Sequence, residues 1–294
     1  MTRIVIMGGG PAGYEAALVA VQHGADVTVV ERDGMGGACV LDDCVPSKTF
    51  IASAGVRVEL RRGAELGVQV DRQAAPVDLP LVNNRVKNLA LAQSADVRAR
   101  LEREGIRIIR GTARFVGQKP GAVHTVEAVT DGGAEELPAE VVLVATGAAP
   151  RVLDDARPDG ERILTWRQLY DLPELPEHLI VVGSGVTGAE FCSAYVEMGS
   201  EVTLISSRDR VMPGEDADAS AVLQDVFLDR GVHTMAQARA ESVKRTDDGV
   251  VVTLTDGRTV TGSHALMTVG STPNTTDIGL ADVGIETDRG GYIP

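Results

Sequence analysis

Apolar residues along the chain fall into short unbroken runs that alternate with glycine turns and with stretches of helical spacing. Residues 3–7 (RIVIM) form one such run, read as a buried parallel strand. Residues 8–13 follow as a turn, and residues 14–23 space Ala, Leu and Val as a helix does. Gly24 ends that helix and residues 26–31 (DVTVVE) return to strand. The same succession begins again at Leu179. LIVVG is a strand, residues 183–188 a turn, residues 189–198 a helix and residues 201–206 (EVTLIS) a strand. Between the copies, helical spacing predicts helices over 49–62 and 82–104, and strands over 106–109, 113–116 and 141–145. Pro150, Pro158, Pro173 and Pro176 punctuate what reads as a linker. Trp166 and Tyr170, spaced i and i+4, predict packing on one helix face.

A strand–loop–helix–strand unit that occurs twice predicts an α/β protein of two doubly wound domains, not a solenoid. The glycine loops carry the first chemistry. Each is a G-x-G-x-x-G between a strand and a helix, the context that gives the motif meaning. Gly8 and Gly183 allow the tight turn, Gly10 and Gly185 let a pyrophosphate approach the backbone, and Gly13 and Gly188 let helix pack on strand. The helix N-terminus then offers N–H groups and a partial positive charge to phosphates. The copies differ at the end of their second strand. Glu31 suits a ribose 2′-hydroxyl and repels a 2′-phosphate, so the first site expects an unphosphorylated adenosine. The matching residue in the second copy is Ser206, followed by Ser207, Arg208 and Arg210, a pattern favouring NADPH with NADH as the alternative.

Composition narrows the classes. Apolar residues make up 44% and charged residues 24% of 294 residues, room for about two domains. The net charge of −14 argues against nucleic acid, whose phosphates need a basic surface. No apolar run reaches the roughly 18 residues of a membrane span, and the N-terminus does not read as a signal peptide; a cytoplasmic location is expected. Three cysteines, Cys39, Cys44 and Cys192, are too few for a secreted disulfide framework. Cys192 reads as a buried structural residue, and the five histidines fall in no catalytic or metal-binding pattern.

Residues 36–48 (GGACVLDDCVPSK) are the most informative stretch. With Ala145-Thr146-Gly147, the second glycine loop with Glu190, and the segment Val269-Gly270-Ser271-Thr272-Pro273-Asn274, they resemble the flavoprotein disulfide reductases over essentially the whole chain. The resemblance implies a discontinuous, incomplete FAD-binding domain over 1–149, an NAD(P)-binding domain over 150–268 and a truncated return segment to the FAD domain over 269–294 that stops before the family's C-terminal dimerisation domain. It implies that Cys39 and Cys44 form a redox disulfide, that Lys48 pairs with Glu190 beside the flavin, and that Thr146, Gly147 and Gly270 border the cofactors. Five residues of ideal helix rise about 7.5 Å, beyond the Cα separation of a disulfide, so such a bond requires a distorted helix start. Asp42 and Asp43 place two carboxylates between the cysteines, a charge pattern expected to oppose a reactive thiolate.

The segments VLDDCVPSKTFIAS, PDGERILTWRQLYDL and HLIVVGSGVTGAEF resemble an actinobacterial branch of NAD(P)H quinone reductases, where Ala or Ser commonly stands at the position of Cys39. The leading expectation is therefore an FAD-dependent NAD(P)H oxidoreductase with a quinone-like small-molecule acceptor, homodimeric when complete. The alternatives are a dihydrolipoamide dehydrogenase using Cys39–Cys44 and, from another class, a nucleotide-binding fragment without turnover.

Overall fold

The two predicted repeats form the centres of two separate units in the computed structural model, which describes residues 1–63, 66–68, 76–118 and 124–294. One unit comprises 1–45, 88–149 and 271–294, the other 46–87 and 150–270. The elements of the first half are β1 (Arg3–Met7), α1 (Pro11–Gln22), β2 (Asp26–Glu31), α2 (Gly37–Leu41), α3 (Cys44–Gly63), α4 (Leu79–Arg103), β3 (Arg107–Arg110), β4 (Thr112–Gln118), β5 (His124–Thr130), β6 (Gly133–Ala139) and β7 (Val141–Val144). The second half adds β8 (Ala148–Pro150), β9 (Ile163–Leu164), β10 (His178–Val182), α5 (Val186–Met198), β11 (Glu201–Ile205), α6 (Ala217–Asp229), β12 (His233–Met235), β13 (Ala240–Arg245), β14 (Val250–Leu254), β15 (Thr259–Gly262), β16 (His264–Met267) and β17 (Ser271–Pro273).

The first unit is built on a parallel sheet ordered β3-β2-β1-β7. Period-two alternation divides the RIVIM run between two cores. Ile6 joins Ala17 and Leu18 of α1, with Val27 and Val29 of β2. Val5 and Met7 face the other way, onto Phe115, Val126 and Leu137 of the antiparallel sheet β4-β5-β6. Covering on both faces is why these strands are uniformly apolar.

The second unit repeats the plan on a five-stranded parallel sheet, β12-β11-β10-β16-β9. Leu179 and Val181 enter a core with Phe191, Ala194 and Tyr195 of α5. Ile180 and Val182 enter a second core with Val243, Val252 and Leu254 of the antiparallel sheet β13-β14-β15.

Packing groups residues 46–87 with the second unit, although the sequence reading set the first domain over all of 1–149. Phe50 and Ala54 of α3 and Leu79 and Val86 of α4 are buried in the same core as Tyr195 and Leu204. The proline-rich stretch is likewise no free linker, because β9 within it extends the parallel sheet and Leu164, Leu169 and Leu172 are buried. Trp166 and Tyr170 do pack in that core, but from a turn and a short 3₁₀ segment, Leu169–Asp171, not from one α-helix.

Candidate dinucleotide sites

The first glycine loop is shaped by carbonyl crowding. Gly8 has φ of +112°, and a Cβ there would lie 2.2 Å from the carbonyl oxygen of Ala145, at the end of β7. A Cβ on Gly13 would lie 1.9 Å from the oxygen of Gly8. Gly10 is different: its φ is −69° and nothing among the described residues lies within 4 Å of the Cβ position. It caps α1 without any side-chain hydrogen bond, and Pro11 follows, so the start of the helix opens onto free space.

Glu31, at the end of β2, closes this site. Its Oε2 accepts from Gly9 N at 2.6 Å, and its Oε1 accepts from Asp33 N at 2.6 Å and Gly34 N at 3.2 Å. An ionised carboxylate has about four acceptor positions, so these three bonds leave capacity for a ribose hydroxyl. The close fit also requires Gly9, where a Cβ would lie 2.9 Å from Glu31 Cγ. The following turn docks on the loop, with Gly36 N donating to Gly9 O at 2.8 Å and Gly37 so near Gly10 that its Cβ would lie 2.9 Å from that Cα.

That turn leads into α2, which carries the half-buried Cys39. The helix ends at Asp42 with φ −124°, where Asp42 N and Asp43 N both donate to Ala38 O. Cys44 is the exposed first residue of α3. The two cysteines therefore stand on different helices, and the break at Asp42-Asp43 supplies the distortion that one continuous helix would lack.

Thr146 and Gly147 are brought together with Asn274. Asn274 Nδ2 donates to Thr146 O at 2.9 Å and its backbone N to Gly147 O at 2.9 Å. Gly147 and Gly270 both have positive φ, +68° and +96°. The clamp by Asn274 escaped the sequence reading as a site feature. Its signal was present in the V-G-S-T-P-N segment, but nothing local to that segment reveals which carbonyls it reaches.

The second loop repeats the steric plan. Gly183 has φ +115° and a Cβ 2.3 Å from Thr268 O, Gly188 a Cβ 2.0 Å from Gly183 O, and Gly185 open space with φ −73°. Thr268 adds a side chain that the first loop lacks, its hydroxyl donating to Val182 O and Gly183 O at 3.0 and 2.9 Å. Ser206 does not replace Glu31 in kind. It is wholly buried, and its hydroxyl lies 2.7 Å from that of Ser184, accepts from Arg208 N at 3.1 Å and lies 3.2 Å from Arg208 O. Ser207 and Arg208 are exposed beside it.

In the same unit, Lys48 Nζ lies 2.5 Å from Glu190 Oε1 and 3.3 Å from Ser47 Oγ. Phe50 and Phe191, two residues and one residue farther along α3 and α5, have ring centroids 6.2 Å apart and hold the two helices in contact. The Lys48 side chain stays 59% exposed and that of Glu190 22%. Cys192 is fully buried, which pushes its thiol pKa up and keeps it protonated.

Two glycine loops, each joining a central parallel strand to an open helix start, define a protein built from two Rossmann-like dinucleotide-binding units. The family model for pyridine nucleotide-disulphide oxidoreductases matches residues 2–294, and the chain belongs to that family, whose members use FAD and NAD(P)H. The chain is 59% identical over 298 aligned positions to an NAD(P)H dehydrogenase (quinone) of Mycobacterium tuberculosis, covering 100% of this chain and 60% of that protein. It is 32% identical to a dihydrolipoyl dehydrogenase of Zymomonas mobilis, covering 98% of this chain and 61% of the relative. The crystal structure of LpdA from Mycobacterium tuberculosis matches with a TM-score of 0.93 and 58% identity, over 99% of this chain and 63% of that one. The chain thus spans about 60% of the length of the curated relatives it matches. Among the described residues no helix is long and apolar enough to cross a membrane.

Proposed function

We propose that the protein is an NAD(P)H dehydrogenase acting on a quinone, with FAD on the first unit and NAD(P)H on the second. The observation that carries the assignment of cofactors is the unlike closure of the two loops. A carboxylate braced by three backbone N–H groups seals the first, while two hydroxyls and an exposed arginine border the second. The 59% identity to a quinone-reducing relative supports the acceptor.

The residues fit the cofactors. Open space over Gly10 and Gly185, each at an uncapped helix start, suits a pyrophosphate. Bound FAD supplies the two-electron chemistry of its ring. Glu31 holds its adenosine ribose and excludes a 2′-phosphate, while Gly8, Gly10 and Gly13 shape its pyrophosphate cradle. Thr146 and Gly147 border the same cofactor, and Gly183, Gly185, Gly188 and Gly270 serve the nicotinamide cofactor. Arg208, with Ser207, favours NADPH over NADH at the second loop. Lys48, oriented by Glu190, sets a positive charge that in this family stands beside the flavin ring, where a cation stabilises the reduced anionic form. A cytoplasmic homodimer is the assembly that the family resemblance supports.

The helix break between Cys39 and Cys44 favours a second reading, dihydrolipoamide dehydrogenase, in which that pair relays electrons to a disulfide substrate. One series of experiments separates the readings. The purified protein should be yellow and should bleach when NADPH is added anaerobically. Quinone reduction should persist in Cys39→Ser, with no lipoamide reduction in the parent protein. Lipoamide turnover abolished by Cys39→Ser would establish the second reading. A colourless protein that takes up no FAD would sink both.

A further inference from the structure

We infer that Gln237, on the loop after β12, is a positioning residue that sets the preference for a 2′-phosphorylated nicotinamide cofactor, acting through Arg208. The inference rests on the proposal that the second glycine loop takes NAD(P)H.

Among the described residues only three that are not glycine have positive φ: Met212 at +48°, Gln237 at +52° and Asp277 at +60°. Two of them anchor the single stretch that follows β11. Side chains adopt this region at a cost, and the cost is retained where surrounding bonds over-determine the backbone. At one end, Ser206 N donates to Met235 O at 2.9 Å, and the chain then turns back through Gln237. The turn aims two successive N–H groups at the stretch: Gln237 N donates to Arg208 O at 2.8 Å and Ala238 N to Ser206 O at 2.8 Å. At the other end, Met212 N donates to Ser184 O, within the glycine loop, at 2.7 Å.

Arg208 is held from both sides as a result. The Ser206 hydroxyl accepts from its N–H and Gln237 donates to its carbonyl, while its side chain remains exposed. Gln237 is itself exposed. What the chain requires of it is a backbone conformation, so Arg208 is presented at a fixed height above the loop by a residue that need not touch the cofactor. This also gives the buried Ser206 its role. It is a brace for the arginine and not a ribose ligand.

The experiment compares Kd for NADPH and NADH in the purified flavoprotein across four variants. Arg208→Ala, which tests the underlying reading, should abolish the NADPH preference. Gln237→Val, whose β-branched side chain disfavours positive φ, should cut the NADPH-to-NADH affinity ratio on the order of tenfold, the scale of one misplaced charge-assisted contact. Gln237→Gly, at ease in that conformation, should keep the parent ratio. Ser206→Ala should lower the ratio as Gln237→Val does, which keeps the test intact if the valine variant folds poorly. Two outcomes overturn the inference: an unchanged ratio in both Gln237→Val and Ser206→Ala, or equal weakening of both cofactors. An unchanged ratio in Arg208→Ala overturns the reading beneath it.

Discussion

The two glycine loops share their steric skeleton and differ in how they are closed. In both, the first glycine is pressed against a carbonyl of a neighbouring strand end, Ala145 in one and Thr268 in the other, and the third against the carbonyl of the first. Only glycine fits, whatever is bound. The closures diverge, and on the proposed function they meet different ligands. Glu31 spends its charge on backbone N–H groups and needs a glycine at position 9 to come so close. Ser206 is small enough for a side chain at Ser184, and the two hydroxyls meet instead. Geometry that makes the fold is thus repeated, and chemistry that selects the ligand is not.

The most damaging way to probe this division is at the crowded glycines. Gly8→Ala and Gly183→Ala should each cost about 3 kcal/mol or more, from overpacking and left-handed backbone together. The cost would be read as a fall in thermal midpoint, with flavin lost first in Gly8→Ala. Gly10→Ala and Gly185→Ala have room and an ordinary φ, so they should fold normally. Their defect should appear only as weaker cofactor binding, measured by flavin content for Gly10→Ala and by KM for NAD(P)H for Gly185→Ala. Equal destabilisation by all four would break the distinction between crowding and cradle.

Next in size are the closures. Glu31→Gln removes a charged acceptor of three N–H groups and should cost about 1.5–3 kcal/mol. Ser206→Ala loses neutral hydroxyl bonds and should cost about 1 kcal/mol by chemical denaturation.

A smaller effect should appear at low pH in the first unit. Arg3 donates to Glu140 through its guanidinium and its backbone N, and these bonds lower the Glu140 carboxyl from 4.5 to about 2. The contribution is present above pH 4.5 and is lost as pH falls towards 2, so stability should decline across that interval. Glu140→Gln should flatten that acid limb in a pH series of unfolding midpoints.

Smallest of all is Tyr195→Phe in the second unit. The Tyr195 hydroxyl is buried among Phe50 and Phe191 with no hydrogen-bond partner among the described residues. Its removal should leave stability unchanged or raise it by up to about 1 kcal/mol.

Both repeats were legible in the sequence because their signals are local: a strand, three glycines, a helix and the residue closing the second strand. The Lys48–Glu190 pair was legible only through the family resemblance, since its partners lie on α3 and α5, far apart in sequence. The placement of residues 46–87 was not legible. Helical spacing shows that α3 has an apolar face, but not that Phe50 finds Tyr170 and Tyr195 as neighbours. The antiparallel strands β13, β14 and β15 also passed unnoticed. β13 and β15 flank β14 and have a mixed polar character, because one face of their sheet covers the parallel sheet and the other is exposed.

The route of the chain sets an order of assembly at the ribosome. The second unit lies wholly within residues 46–270, whereas the first needs residues 271–294. Those residues bring Asn274 to Thr146 and Gly147, and Leu280 to the core beside Phe115. During synthesis the second glycine loop can therefore be finished while the first still waits for residues 271–294. The unit begun first is thus not the first whose loop is in place.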